Sequence, residues 1–245
     1  MSSKPDALAN IRIVLCQTSH PGNIGAAARA MKTMGLRDLR LVRPKKFPHA
    51  EAEAMASGAT DVLAAATVCD TLEEALTGCA FAVGLSARKR ELTHELANSR
   101  AAAEHAIQLA ASQQVALVFG TEMSGLSNDE LIRCHQLAMI PANPEYSSLN
   151  LAAAVQVMAY ELRMAVLGKI ATETSTPFPL ASHDDVEGFY RHLEAALTHT
   201  GFLDPAVPKR LMPRLRRLFT RARLEKEEVN ILRGILKSMQ PPPRD

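Results

Sequence analysis

Tryptophan is absent from this 245-residue chain, which carries only three tyrosines and seven phenylalanines. An interior so short of large rings has to be closed by small aliphatic side chains, and Ala, Leu and Val dominate an apolar share of 47%. Cysteine is scarce too. Cys16, Cys69, Cys79 and Cys134 form no Cys-x-x-Cys pair, which argues against a zinc or disulfide framework and fits a reducing cytosol. Cys16, Cys69 and Cys79 sit in or beside apolar runs, where thiols are normally buried. No cluster of metal-ligating residues is evident, so no metal site is expected. No apolar run approaches the ~20 residues of a membrane span, and Met1–Asn10 lacks the apolar stretch of a secretory signal. The expectation is a cytoplasmic globular protein with one substantial core and a small appendage.

From Ile11 to about Lys169, strand and helix patterns alternate. Ile11–Cys16 reads as a strand ended by the polar turn Thr18-Ser19-His20-Pro21-Gly22. A helix follows to Met34, with Gly35 as its C-terminal cap. Leu39–Val42, Phe81–Leu85, Val115–Phe119 and Leu137–Ile140 are further strands, the middle two compact enough to be buried on both faces. Thr71 with Glu74 and Ser127 with Glu130 fit capping boxes that start helices. After Asn150, residues Leu151, Val155, Met158, Leu162 and Val166 recur at steps of three or four, an amphipathic helix. Such alternation predicts a largely parallel sheet covered by helices. Residues 1–170 form this domain, 171–183 a Thr/Ser/Pro-rich linker, and 184–245 a helical extension. Its helices span roughly Asp184–Thr198, Pro205–Arg221 and Leu224–Met239, the last with Leu232, Ile235, Leu236 and Met239 on one face.

Three segments carry candidate chemistry, and each meets the carboxyl end of a strand or the start of a helix, where open α/β sheets bind ligands. In Gly22-Asn23-Ile24-Gly25-Ala26-Ala27-Ala28-Arg29, a glycine-containing turn brings backbone N–H groups toward an anion. The third glycine of a dinucleotide fingerprint is missing, and the second strand ends in Arg43-Pro44 rather than an acid. An NAD site is therefore disfavoured, while an NADP site with Arg43 on the 2′-phosphate stays open. Phe119–Leu126 brackets Glu122 between Gly120 and Gly125, which permit close backbone approach to a ligand; Glu122 binds a hydroxyl or amine, or caps the next turn. Ile140 to Asn150 combines an irregular Pro141-Ala142-Asn143-Pro144 loop with Tyr146, Ser147 and Ser148, and either Ser148 or Asn150 can cap the helix that follows.

Taken together these segments resemble the motifs of the SPOUT methyltransferases, within their TrmH-like 2′-O-ribose branch. Pro144–Leu151 and Met31–Leu36 look most like the branch's TrmJ group, which acts on ribose 32 of the tRNA anticodon loop. The resemblance implies an α/β fold with a parallel sheet and a C-terminal trefoil knot, S-adenosylmethionine as methyl donor, and a homodimer with composite sites. It puts the donor against Leu85, Ser86, Ala87, Gly120, Ile140, Ser147, Ser148 and Leu149. Arg29, Asn23, Glu122, Ser148 and Asn150 are the residues it implies for catalysis. Alternatives are ribosomal RNA as substrate, an NADP-dependent enzyme, and a non-enzymatic RNA-binding protein.

Although net charge is only +2, it is unevenly spread. Between Pro205 and Lys226, eight basic residues face a single acid, Glu225. Lys209, Arg210, Arg214, Arg217 and Arg221 in this stretch, with Arg88 and Arg90 after the expected donor loop, are candidates for contact with tRNA phosphates.

Overall fold

The computed structural model describes residues 7–86, 96–168 and 179–240. The chain divides into two units, Met1–Thr174 and Ser175–Asp245. In the first, the elements run β1 (Ile11–Cys16), α1 (Pro21–Met34), β2 (Asp38–Val42), α2 (Ala50–Ala56), α3 (Thr60–Ala64), β3 (Thr67–Cys69), α4 (Leu72–Leu76), β4 (Cys79–Leu85), β5 (Leu96–Asn98), α5 (Ser99–Ala110), β6 (Gln114–Phe119), α6 (Asn128–Ile132), β7 (Gln136–Met139) and α7 (Leu151–Gly168). The seven strands pair in the order β3-β2-β1-β6-β4-β7-β5, every neighbour parallel. The parallel α/β architecture expected from the alternation is thus present. β7 lies between β4 and β5 although it follows both in the chain.

β1 and β4 are buried along their whole lengths, the mark of strands covered on both faces. One charge lies in this interior. The Arg12 guanidinium donates to Asp38 Oδ2 and to the carbonyls of Ala75 and Thr77, each at 2.8 Å, tying β1 to β2 and to the turn before β4. All four cysteines are free and buried. Gly35 caps α1 at φ 89°, as read from the sequence. Ser127 and Glu130 form the expected capping box. At Thr71 the box is incomplete: its hydroxyl accepts the Glu74 N–H, but the Glu74 carboxylate accepts from Asp70 instead.

In α7, Leu151, Val155, Met158 and Leu162 are buried, packed among α1 and α5. By length and composition α7 is the one described helix able to cross a membrane, yet it packs as a core helix. The turn after β1 also departs from expectation. A Cβ on Gly25 would stand 2.0 Å from the Ala52 carbonyl oxygen, so this glycine lets α1 and α2 touch rather than opening a path to an anion.

The second unit holds α8 (His183–His199), α9 (Leu211–Ala222) and α10 (Lys226–Ser238). Its core joins Phe189, Tyr190, Leu193 and Ala196 to Val229 and Leu236, with Leu215, Phe219 and Leu232 partly buried against them. Two expectations shift here. α9 starts at Leu211 rather than Pro205, because residues 205–210 carry two prolines and close into turns. Of the expected α10 stripe, Ile235 and Met239 are exposed while Val229 takes the inner face. The tail of the expected linker also packs: Ala181 N–H donates to Leu224 O at 2.8 Å and Lys226 N–H to Pro179 O at 3.1 Å. The part at 171–178 lies outside the described residues.

Candidate functional site

β6, β4 and β7 are neighbours in the sheet, and beyond their carboxyl ends lies a cleft of about 350 Å3. Its walls are Leu85 and Ser86 after β4, Phe119 to Leu126 after β6, and Ile140 with Glu145 to Leu149 after β7. Leu151 and Ala154 of α7 close it. The size falls within the ~300–1,000 Å3 of small-molecule sites.

Local chemistry builds each wall. A Cβ on Gly120 would stand 2.1 Å from the Gly125 carbonyl carbon, because Thr121 and Gly125 pair as a tight turn through N–H···O bonds of 3.2 and 3.0 Å. The Thr121 and Ser124 hydroxyls bond across that turn at 2.8 Å. In the next wall, Asn143 accepts the Glu145 N–H on its side chain (3.1 Å) and the Tyr146 N–H on its carbonyl (2.9 Å). This Asx-type turn swings Ser147 to Leu149 over the cleft.

Glu122 is the centre of a hydrogen-bond chain that joins all three sequence segments. Its carboxylate accepts the Ser19 N–H at 3.0 Å, the His20 N–H at 3.1 Å and the Asn23 side-chain amide at 3.0 Å. Asn23 Oδ1 in turn accepts from Asn150 Nδ2 at 2.9 Å. Asn150 Oδ1 accepts the N–H groups of Ala152 and Ala153, capping α7. Burial alone would raise the Glu122 carboxyl, but the donors on Ser19, Asn23 and His20 outweigh it and hold the group below its ordinary value. The anion that meets the turn before α1 is therefore the protein's own Glu122.

A model of the SpoU rRNA methylase family matches residues 10–160. The chain belongs to the SpoU methylase family. The remaining unit of this SpoU protein matches the C-terminal domain of tRNA methyltransferase TrmJ over residues 184–245, which places it in the TrmJ group. It is 55% identical to a Salmonella typhimurium protein named tRNA (cytidine/uridine-2'-O-)-methyltransferase TrmJ, over 95% of this chain and 97% of the relative. The Yersinia enterocolitica protein of the same name is 54% identical, with 95% and 92% covered. Among solved structures, TrmJ from Zymomonas mobilis (Z. mobilis ZM4) superposes with a TM-score of 0.83 at 34% identity, covering 94% of this chain and 99% of that one.

Most expected donor residues of this SpoU chain line the cleft: Leu85, Ser86, Gly120, Ile140, Ser147, Ser148 and Leu149. Ala87, Arg88 and Arg90 lie outside the described residues. Met123, Ser124 and Glu145 of the lining fall inside the segments read from the sequence without having been singled out as donor contacts, and Ala154 was missed, its only signal being its place in the helix that follows. No Lys, Arg or His lines the cleft among the described residues. Arg43 sits past β2, one strand beyond β1 in the sheet, and is not part of the lining, so the phosphorylated dinucleotide reading has no cation in the cleft among the described residues.

Three catalytic candidates, Asn23, Asn150 and Arg29, stand apart from the lining. Asn150 is the α7 cap and the partner of Asn23, a positioning residue. Arg29 is exposed on α1 and forms no ion pair among the described residues. In the second unit, Lys209, Arg210, Arg214 and Arg221 are exposed. Arg217 is half-buried, with an unpartnered Nε shielded from solvent. Arg216, part of the same basic run, is committed internally: it forks onto Glu187 at 2.5 and 2.8 Å and lies 4.4 Å over the Tyr190 ring.

Proposed function

We propose that this SpoU protein transfers a methyl group from S-adenosylmethionine to the 2′-hydroxyl of ribose 32 in the tRNA anticodon loop, giving Cm32 and Um32. The observation that carries the reading is the pairing, on one chain, of a SpoU core with a TrmJ-type C-terminal unit. That second unit favours tRNA over ribosomal RNA. The cleft suits the donor by its chemistry: backbone and hydroxyl groups for adenine and ribose, Glu122 and Glu145 as its acids, and, among the described residues, no cation to repel a sulfonium. When bound, the cofactor supplies an electrophilic methyl carbon.

The residues then divide the work. Leu85, Ser86, Gly120, Ile140 and Ser147 to Leu149 hold the donor, together with Ala87. Glu122, through Asn23 and Asn150, locks the three loops in one arrangement, so the site is preorganised before substrate arrives. The Ser148 hydroxyl, at the rim, orients the ribose. As the ribose oxygen bonds to the methyl carbon, the carbon–sulfur bond breaks and the hydroxyl proton leaves to solvent or to a phosphate oxygen. Arg29 stabilises the developing oxyanion; a guanidinium, protonated throughout the working pH range, is unsuited to take the proton.

An exposed Arg29 outside the cleft fits a homodimer in which it completes the partner subunit's site. The apolar stripe of α7 is spent inside the protomer, but Tyr160, Met164 and Leu167 stay exposed on that helix and offer an apolar contact face. A trefoil knot accounts for β7 entering between β4 and β5, two strands already joined in the chain. Four buried free thiols suit a reducing cytoplasm. Exposed Lys209, Arg210, Arg214 and Arg221, with Arg217, Arg88 and Arg90, grip tRNA phosphates.

The test is methyl transfer from labelled donor to bulk tRNA with nucleoside mapping. Cm or Um at position 32 is expected; label only in ribosomal RNA, or only on bases, overturns the reading.

A further inference from the structure

A second cavity, of about 580 Å3, opens at the segment joining α8 to α9 and the first turn of α9, and is lined by Phe202, Val207, Pro208, Lys209, Arg210 and Arg214 among others. Phe202 is 70% exposed and Val207 58% exposed. In contrast Phe81, Phe119 and Phe189 are buried, and Phe219 packs in the second unit's core. A phenylalanine left in water contributes no burial energy to folding, and here it stands beside three cations. The turn that presents it is well held. Leu203, next to Phe202, is buried and its N–H donates to Leu197 O at 3.0 Å. Asp204, the acid on the cavity wall, accepts the Ala206 N–H at 2.9 Å. Charge at this mouth is therefore net positive, and the aromatic face is bare.

We propose that this cavity docks one unstacked RNA nucleotide, with Phe202 and Val207 against its base and Lys209, Arg210 and Arg214 on its flanking phosphates. The inference rests on the tRNA reading above and deepens it: the extension selects an unpaired nucleotide, not only a charged backbone. A flat apolar ring beside cations is the combination that single-stranded RNA offers surface for, since a duplex hides the faces of its bases. A protein partner would leave three cations needing an acidic complement, whereas flanking phosphates supply it.

The experiment measures binding of the full chain to a single-stranded oligouridylate and to an RNA duplex of equal length, across salt concentrations. F202A is expected to weaken oligouridylate binding about 5- to 140-fold, the range of one lost base–aromatic stack. The slope of log affinity against log salt, the duplex affinity and S-adenosylhomocysteine binding should not move. F202W should restore binding and F202L should not, which separates stacking from mere apolar contact. R210Q and R214Q should each flatten the single-strand slope by about 0.7. The proposal is overturned if the wild-type chain does not bind oligouridylate, if F202A or F202L binds as wild type does, or if F202A loses duplex affinity equally. Phe202 is exposed, so a matched circular dichroism spectrum checks that F202A is folded. Failure of the function reading is separate: it appears as absent ribose methylation by the wild-type enzyme, whatever the oligonucleotide affinities.

Discussion

Replacing Glu122 by glutamine tests the hydrogen-bond chain that holds the cleft. The carboxylate collects the N–H groups of Ser19 and His20 and the amide of Asn23, all at 3.0 to 3.1 Å. Hydrogen bonds to a charged group contribute about 1.5–3 kcal/mol, neutral ones about 0.5–1.5. Three full conversions would thus cost roughly 3 kcal/mol. Ser19 is half-buried and His20 exposed, so water compensates part of this, and about 1–2 kcal/mol is the expected loss. For a unit of this size that lowers the unfolding midpoint by about 2–8 °C. Its pH dependence has a definite sign. A carboxyl held below its ordinary 4.5 contributes stability that is fully present above that value and is lost as pH falls through the folded value. The deficit of E122Q against wild type should therefore be full at neutral pH and shrink in acid below 4.5. Thermal unfolding at several pH values, with amide hydrogen exchange at Ser19 and His20 as the local readout, measures both. An E122Q chain with wild-type midpoint and exchange at neutral pH, or a deficit that does not change on acidification, refutes the reasoning.

R29A should lower methyl transfer about 10²–10³-fold with S-adenosylhomocysteine affinity kept, and mixing it with a chain whose cleft is filled by A154W should restore part of the activity; no recovery in proven heterodimers excludes a composite site. Arg216 and Arg214 should separate cleanly: R216Q lowers the stability of the second unit by breaking the Glu187 fork, while R214Q leaves unfolding unchanged and flattens the salt dependence of tRNA binding by about 0.7, the value for a phosphate beside an unpaired nucleotide. Thiol reagents should label none of the four cysteines in the native protein at neutral pH, because all are buried and burial pushes the Cys134 thiol up to about 12; mass spectrometry showing labelled Cys134 without unfolding would contradict this.

The wholly buried strands were legible in the sequence because a strand covered on both faces must be a continuous apolar run, as in Ile11–Cys16 and Phe81–Leu85. The same holds for α7, whose spacing of Leu151, Val155, Met158 and Leu162 matches the helical repeat. Strands β3 and β5 were not legible. Each has three residues and partly exposed side chains, too few for any period to emerge. The glycine-rich and serine-rich segments announced a ligand cleft, since such residues at strand ends have little packing to do. What they did there was decided by contacts distant in sequence. Gly25 meets Ala52, and the turn at Ser19–His20 meets a carboxylate roughly a hundred residues away. Likewise only the folded unit separated Arg216, tied to Glu187 and Tyr190, from the exposed Arg214 and Arg221 of the same run. Residue type and spacing state what a side chain is able to do; which partner it meets depends on chain crossings whose register no local pattern encodes.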